Sequence, residues 1–337
     1  AVDSWSQAIA AADTELAVAG AVTILDLTQT SKAFISESAK INQDTSLRSN
    51  ANLQTVSVEA TNVNEAVHFS GTIDLPGLVW NNKSSNVKFK TGGVGTDGES
   101  SIGGAVLIVD YINDVTASIK AGATVYGDSV AVQAESKTLN VDVAASGGEA
   151  ENFGFNGAGT WIYVDNSTTA QIEDGVILTV GDAFVADTTD SLSVRATDRT
   201  DSLNVLGGVA ISESIGIGAT VGFNTVVRDT RAVIGKLNTD DSANNTTGNT
   251  TSINSLGDIS IEAINKGWVG SIGLAGAVAT GGSTEVDEET GETSGSQNYG
   301  VGISGISLIN EVTDTADAYM RNVDLTLGQV AALAVNA

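Results

Sequence analysis

The sequence predicts an all-β protein, a right-handed parallel β-helix (β-solenoid) of about five repeats with inserted loops. Three observations lead to this fold class. Two short motifs alternate five times along the 337 residues, and apolar residues recur at every second position within them. The chain is also 41% hydrophobic but only 5% aromatic, which suits a thin core of stacked small side chains.

The repeat is defined by two anchor motifs. The first, Ala-x-apolar, begins at Ala33, Ala117, Ala170, Ala232 and Ala318, and the second, apolar-x-apolar-x-Ala, ends at Ala60, Ala134, Ala196, Ala263 and Ala334. The step from Ala117 to Ala134 is 17 residues and the step from Ala134 to Ala170 is 36, so the basic unit has 53 residues. Polar, turn-rich stretches fill the longer steps, and we expect inserted loops at about 70–102, 238–254 and 280–300.

Within each unit the alternation indicates strands with one buried face. The segments TVSVEA, SVAVQA, SLSVRA and DISIEA place a set of Val, Leu and Ile side chains inward: Val56, Val58, Val130, Val132, Leu192, Val194, Ile259 and Ile261. Such strands bury this face only by stacking equivalent coils at about 4.8 Å. Parallel strands joined by crossovers favour the right hand.

The number of coils is predicted from a weaker similarity inside the repeat. The first and second halves of each unit resemble each other, which predicts two coils of about 26 residues per repeat. This gives about ten coils in all and a rod about 50 Å long. We interpret residues 1–337 as one continuous solenoid segment of a longer protein. An array of immunoglobulin-like modules is the alternative, but it needs about 100 residues per module. Residues 6–20 could instead form a short helix.

Charge and cysteine content exclude several functions. The chain has 15 Lys plus Arg against 41 Asp plus Glu, a formal charge of −26. A chain this acidic repels nucleic acid and anionic membranes, and it lacks the run of about 18 apolar residues that a membrane helix requires. The absence of Cys rules out disulfides and thiolate metal sites. We therefore expect no nucleic-acid partner and no membrane insertion.

The repeat GAVxV…TxAxI…GAxV…VxVxA is carried by residues 104–119, 122–125 and 130–134. It resembles the repeats of very large bacterial surface adhesins and leukotoxin-like exoproteins, and related stretches cover nearly the whole chain. This resemblance implies a β-solenoid stalk, adhesive or structural, that is secreted or exposed on the bacterial cell surface. The family offers no catalytic residues to carry over, and the long insertions of this chain depart from its more regular members.

Two acidic stretches are candidates for calcium. GGVGTDGES (residues 92–100) resembles one glycine-rich calcium nonapeptide and contributes Asp97 and Glu99, although Glu99 stands where that motif has an aliphatic residue. STEVDEETGETSG (residues 283–295) contributes Asp287 and Glu288. Carboxylates are suitable calcium ligands. The alternatives are a plain glycine-rich loop and a solvated acidic loop, so the chain requires no cofactor and calcium is the one candidate.

Three further groups of residues are candidates for a catalytic or sugar-binding role. His68 is the single histidine and lies in an alternating strand, where a surface or half-buried position without catalytic partners is the expectation. The segment SVRATDRTDS (residues 193–202) gathers Arg195, Asp198, Arg199 and Asp201, which suits either compensating surface charges or a polysaccharide lyase. Four tryptophans could stack on sugars, yet they share no repeat position, and packing in the core or in loops is expected: Trp5, Trp80, Trp161 and Trp268.

These features predict a non-enzymatic role. We expect a structural or adhesive rod segment of an extracellular or cell-surface bacterial protein that mediates attachment or filament and matrix assembly. The expected partners are other copies or neighbouring repeats of the same parent protein, with cell-surface glycans or proteins as further candidates. Self-association would use outward apolar residues, predicted as Val106, Ile108, Ile162, Val164, Ile306 and Leu308. The alternative function is a carbohydrate-active β-helix enzyme of the polysaccharide lyase type.

Overall fold

The structure is a computed structural model whose described parts are built from β-strands. It describes residues 3–7, 16–45, 54–71, 73–74, 90–91, 100–181, 190–237, 249–281, 285–286, 293–294, 299–329 and 331–337. Twenty strands follow one another: β1 (Ser4–Gln7), β2 (Leu16–Ile35), β3 (Lys40–Ile41), β4 (Thr55–Gly71), β5 (Ile73–Asp74), β6 (Lys90–Thr91), β7 (Ser100–Ile119), β8 (Thr124–Gly127), β9 (Ser129–Ala150), β10 (Phe153–Ile172), β11 (Ile177–Val180), β12 (Ser191–Ser212), β13 (Ile215–Gly235), β14 (Thr251–Ser255), β15 (Asp258–Ala279), β16 (Glu285–Val286), β17 (Thr293–Ser294), β18 (Val301–Arg321), β19 (Val323–Leu327) and β20 (Leu333–Asn336).

Three parallel sheets form the walls of a solenoid. Sheet A has the order β1-β4-β9-β12-β15-β20, sheet B the order β2-β7-β10-β13-β18, and sheet C the order β3-β8-β11-β14-β19. The chain runs from sheet B through the short sheet C into sheet A and then returns to sheet B. This topology confirms the predicted parallel β-helix. Residues 16–20, a candidate for a helix, lie in β2.

One repeat makes one coil, and the prediction of two coils per repeat is wrong. Ser100 pairs with Phe153, and Ile119 pairs with Ile172, so neighbouring coils differ by the 53 residues of the basic unit. The two similar halves of a unit are the long strands of sheets B and A, which face each other within the coil. Five coils at about 4.8 Å give a stack only 20–25 Å high, whereas 20-residue strands such as β7 are about 66 Å long.

The insertions leave the coils in register. Leu16 pairs with Ser100 although 84 residues separate them, and Ile215 pairs with Val301 across 86 residues. Of the residues between β4 and β7, the structure describes a short antiparallel pair, β5–β6; between β15 and β18 a similar pair, β16–β17, is described. The stretch between β13 and β14 contains residues 238–248, which lie outside the described residues.

The main core lies where all three sheets meet. All eight inward residues predicted from the alternating segments are buried there, among them Val132 and Ile261 at 0% exposure. Side chains such as Ile119 and Leu178 close the corner from sheets B and C. Burying a Val, Leu or Ile side chain contributes about 1.5–3 kcal/mol, so this end of the coil holds most of the hydrophobic stabilisation. A second cluster, with Leu107, Ile162 and Leu206, lies farther along between sheets A and B.

A polar seam separates the two clusters inside the coil. Asn113 and Asn166 are neighbours in sheet B, and the Asn113 amide donates to the Asn166 side-chain oxygen at 2.7 Å. Across the interior, the Asn166 amide donates to Asp198 at 2.9 Å and to the Thr200 hydroxyl oxygen at 2.8 Å. These amides thus pair with polar groups of both sheets, as buried polar groups require.

At the end away from sheet C the two sheets approach too closely for large side chains. A Cβ on Gly218 of sheet B would lie 2.1 Å from the carbonyl oxygen of Gly276, and one on Gly208 of sheet A would lie 2.7 Å from that of Ala219. Facing sheets normally stand about 10 Å apart. Because only Gly, Ala and small polar residues fit this thin end, the large apolar side chains of the same strands are placed on the outside.

Candidate interaction surfaces

The outer surface of sheet B carries an uncharged apolar area over its first nine residues in every coil. We call it the apolar face. It comprises the outward side chains of residues 16–24, 100–108, 153–161, 215–223 and 301–309. One row crosses all five coils in register: Ile24, Ile108, Trp161, Phe223 and Ile309. Ile24 is 69% exposed and Trp161 is 58% exposed, so large side chains project into solvent along the stack.

A lane of small residues runs parallel to this row, and the outward row that contains Val22 and Val106 lies between them. Gly20, Gly104, Gly157, Ala219 and Gly305 pair in register. A Cβ added to Gly104 or Gly305 would meet nothing within 4 Å, so the lane is open outward. Exposed residues such as Ile303 form its far wall. The apolar face is therefore grooved, with a shape that a ridge of side chains from another sheet can enter.

The structure corrects the predicted set of outward apolar residues. Val106 and Ile108 do point outward, but Ile162 and Val164 are fully buried in the second cluster. Ile306 and Leu308 also face inward, because a Cβ on Gly273 of sheet A would meet both side chains within 3.1 Å. The segments were aligned one residue out of step, and a shift of one residue exchanges the two faces of a strand.

The outer surface of sheet A is divided in the same way. Its part away from sheet C is apolar, with Leu274 and Ile272 well exposed. Its part near sheet C is polar, and Ser57, Glu59 and Gln133 are exposed there. Charge therefore concentrates on the half of the coil that carries the main core.

A cationic row marks the border between these two parts of sheet A. Lys137 pairs in register with Arg199, and Arg199 pairs with Lys266, so three cations stand side by side on neighbouring strands. They line an open depression of about 280 Å³ together with Arg195, Gln133 and Glu135. Four of the 15 cationic residues of the chain thus converge on one place.

Most of these cations have a carboxylate partner. Arg199 Nε lies 2.8 Å from Asp201 Oδ2, Lys137 Nζ lies 2.8 Å from Glu135 Oε1, and Arg195 Nε lies 3.6 Å from Glu262 Oε2. Of the four residues singled out in SVRATDRTDS, the structure brings Arg195, Arg199 and Asp201 to the outer surface. Asp198 instead lies in the polar seam, where burial raises the pKa of its carboxyl.

Sequence reasoning missed Lys137 and Lys266, although a signal was present. Both cations and Arg199 stand three residues after the anchor alanines Ala134, Ala196 and Ala263. Trp268 also lies on this surface, in register with Asp201 and 50% exposed. The expectation that Trp161 and Trp268 pack in the core or in loops is therefore wrong, since both project from outer faces of strands.

His68 is fully buried, which contradicts the expected surface or half-buried position. Its Nδ1 lies 2.8 Å from the Ser4 hydroxyl, and its Nε2 is hydrogen-bonded to the Tyr111 hydroxyl. Burial lowers the pKa of His68 and raises that of Tyr111. The neighbouring Asp142 carboxyl, also enclosed, has its pKa raised well above the usual range by burial. Burial between the sheets therefore disfavours the charged form of each of these three groups.

The four calcium candidates, Asp97, Glu99, Asp287 and Glu288, lie outside the described residues. Within the described part of the chain, no group of three or more His, Cys, Asp or Glu residues is placed to hold a metal ion. The described residues also contain no helix long and apolar enough to span a membrane.

Comparisons with known proteins gave no relatives. No family model, no curated protein and no solved structure matches the chain.

Proposed function

We propose that the chain is a structural, adhesive rod segment of a bacterial cell-surface or secreted giant protein, and that it assembles laterally through the apolar face. The observation that carries the proposal is the row Ile24, Ile108, Trp161, Phe223 and Ile309, which remains outward and apolar through all five coils. Exposed apolar strips of this extent mark interaction surfaces. The adhesive role and the extracellular location rest on the resemblance of the repeat.

The occupant of the apolar face is a second copy of the same segment. Five strands about 4.8 Å apart and nine residues about 3.3 Å apart give a face of about 700 Å². Two such faces bury about 1,400 Å², within the range of specific interfaces. Since each copy carries a formal charge of −26, approach through this charge-free face brings the copies together with the least repulsion.

Sedimentation velocity across a concentration series tests the proposal. The test variant combines Ile108→Lys and Trp161→Lys, and the control combines Ile112→Lys and Ser167→Lys. Both variants add two charges to outward positions of β7 and β10. The wild type and the control should sediment as dimers or larger species at high concentration, and the test variant should remain monomeric. A wild type that stays monomeric at the highest concentration, or a test variant that associates as the wild type does, would contradict the proposal.

A carbohydrate-active β-helix enzyme is the second candidate function. It is favoured by the depression on sheet A, where Arg195 and Arg199 line one open groove together with Glu135. Incubation with pectin, alginate and hyaluronan tests it by the release of unsaturated or reducing products. Sustained turnover that is abolished by Arg199→Ala would replace the non-enzymatic proposal.

A further inference from the structure

The cationic row on sheet A places like charges on neighbouring strands, where they repel one another. In-register neighbours on adjacent strands are about 5 Å apart, and like charges placed there destabilise a sheet. Lys137 and Arg199 offset this with carboxylates on their own strands. Lys266 makes no ion pair with any residue that the structure describes, so the row retains one cation available to a ligand.

The backbone around Lys266 has an unusual conformation and is held by a side chain of the opposite sheet. Gly267 has a φ of 111°, a conformation that side-chain-bearing residues rarely adopt. A Cβ there would lie 2.0 Å from the Thr200 carbonyl oxygen. From the opposite sheet, the guanidinium of Arg228 donates to the Lys266 carbonyl and is itself held by Asp314 at 2.6 and 2.7 Å. The irregular stretch is thereby held from inside the coil while its side chains face outward.

This stretch presents an aromatic ring next to the available cation. Trp268 follows Lys266 by two residues and is half exposed. A Cβ on Gly270 would lie 3.1 Å from the Trp268 ring, so the ring packs over the glycine against the outer surface. Asp201, the register partner of Trp268, is fixed by Arg199 at 2.8 Å. The site therefore combines an apolar platform, an ammonium group without an ion-pair partner among the described residues, and a guanidinium that Asp201 holds in place.

We infer that this site binds a neutral glycan that carries one carboxylated sugar. The apolar side of a sugar ring packs on Trp268, and the carboxylate pairs with Lys266 and Arg199. The negative field of a chain with charge −26 repels a polyanion. A neutral glycan with a single carboxylate is attracted by Lys266 and Arg199, and the net negative charge of the chain repels it much less than it repels a polyanion. The site lies on sheet A and does not depend on lateral assembly through sheet B.

Tryptophan fluorescence titration and calorimetry with sialyllactose, lactose and polygalacturonate test the inference. Sialyllactose should bind and change the emission, lactose should bind at least tenfold more weakly, and polygalacturonate should not compete. Trp268→Ala should abolish binding. Lys266→Ala should weaken it about tenfold, as expected for loss of one charge-assisted contact.

Two matched variants serve as controls. Trp161→Ala removes a second well-exposed tryptophan, and Lys32→Ala removes an exposed lysine of sheet B; both should bind sialyllactose as the wild type does. Equal affinity for lactose and sialyllactose, tighter binding of polygalacturonate, no sialyllactose binding by the wild type, or binding that survives Trp268→Ala would each overturn the inference. Sedimentation of the same samples reports lateral assembly separately, so failure at one site is distinguishable from failure at the other.

Discussion

The orientation of β10 is tested by two adjacent residues. Ile162 is fully buried in the second cluster, whereas Trp161 is 58% exposed on the apolar face. Ile162→Ala removes three carbons at about 0.8 kcal/mol per buried CH₂, and the cavity left behind raises the expected loss to about 3–4 kcal/mol. Trp161→Ala removes a larger side chain but should cost the monomer less than about 1 kcal/mol, since most of that side chain already contacts water.

Urea unfolding followed by far-ultraviolet circular dichroism measures both losses. The comparison is made at a protein concentration where the wild type is monomeric, so that the contribution of Trp161 to assembly does not enter. Ile162→Ala should lower the urea midpoint clearly, with an unchanged slope. If Trp161→Ala lowers the midpoint as much as Ile162→Ala or more, the two faces of β10 have been assigned the wrong way round.

Three further predictions concern the interior. Gly218→Ala should destabilise strongly, because its Cβ would collide with the Gly276 carbonyl oxygen, while Gly104→Ala, which opens outward, should be neutral or stabilising in thermal unfolding. Burial raises the pKa of Asp142, so its protonated form stabilises the fold below about pH 4 and that contribution is lost as the pH rises through the raised folded pKa. Asp142→Asn should therefore unfold at higher urea than the wild type at pH 7, with a difference that shrinks toward pH 4; the opposite trend would show an ionised, compensated carboxylate. Arg228→Met should lower the free energy of unfolding by about 1–3 kcal/mol, less than the loss of a fully buried ion pair, because Asp314 is partly exposed. The same substitution should weaken sialyllactose binding, because it releases the Lys266 carbonyl. Unchanged binding would mean that Arg228 does not position the site.

Sequence periodicity predicted the inward face of a strand correctly wherever apolar and polar residues alternate. Val130 and Val132 alternate with polar residues, so their inward direction followed directly from the pattern. The segment TWIYV around Trp161 is apolar at consecutive positions and contains no such signal. Which of its side chains face inward is determined only by pairing with the neighbouring coils, where Trp161 is the register partner of Ile108.

The number of coils was mispredicted for a related reason. Similar half-units suggested two stacked coils, but similarity does not distinguish strands that stack from strands that face each other across a core. Sheet C settles the difference, since only one short strand such as β8 turns the chain between the long strands of sheets B and A. A corner of four residues gives little periodic signal.

The candidate glycan site could be predicted only in part. Lys137, Arg199 and Lys266 are 62 and 67 residues apart in sequence, yet the anchor alanines already place them in one row. What the anchors do not contain is the left-handed Gly267 and its contact with Arg228, which arrives from the opposite sheet through the polar seam. The polar seam therefore also holds the backbone of sheet A at Lys266, in addition to satisfying buried polar groups. Because Arg228 and its Asp314 partner belong to sheet B, the geometry of Lys266 and Trp268 on sheet A depends on the distance between the two sheets.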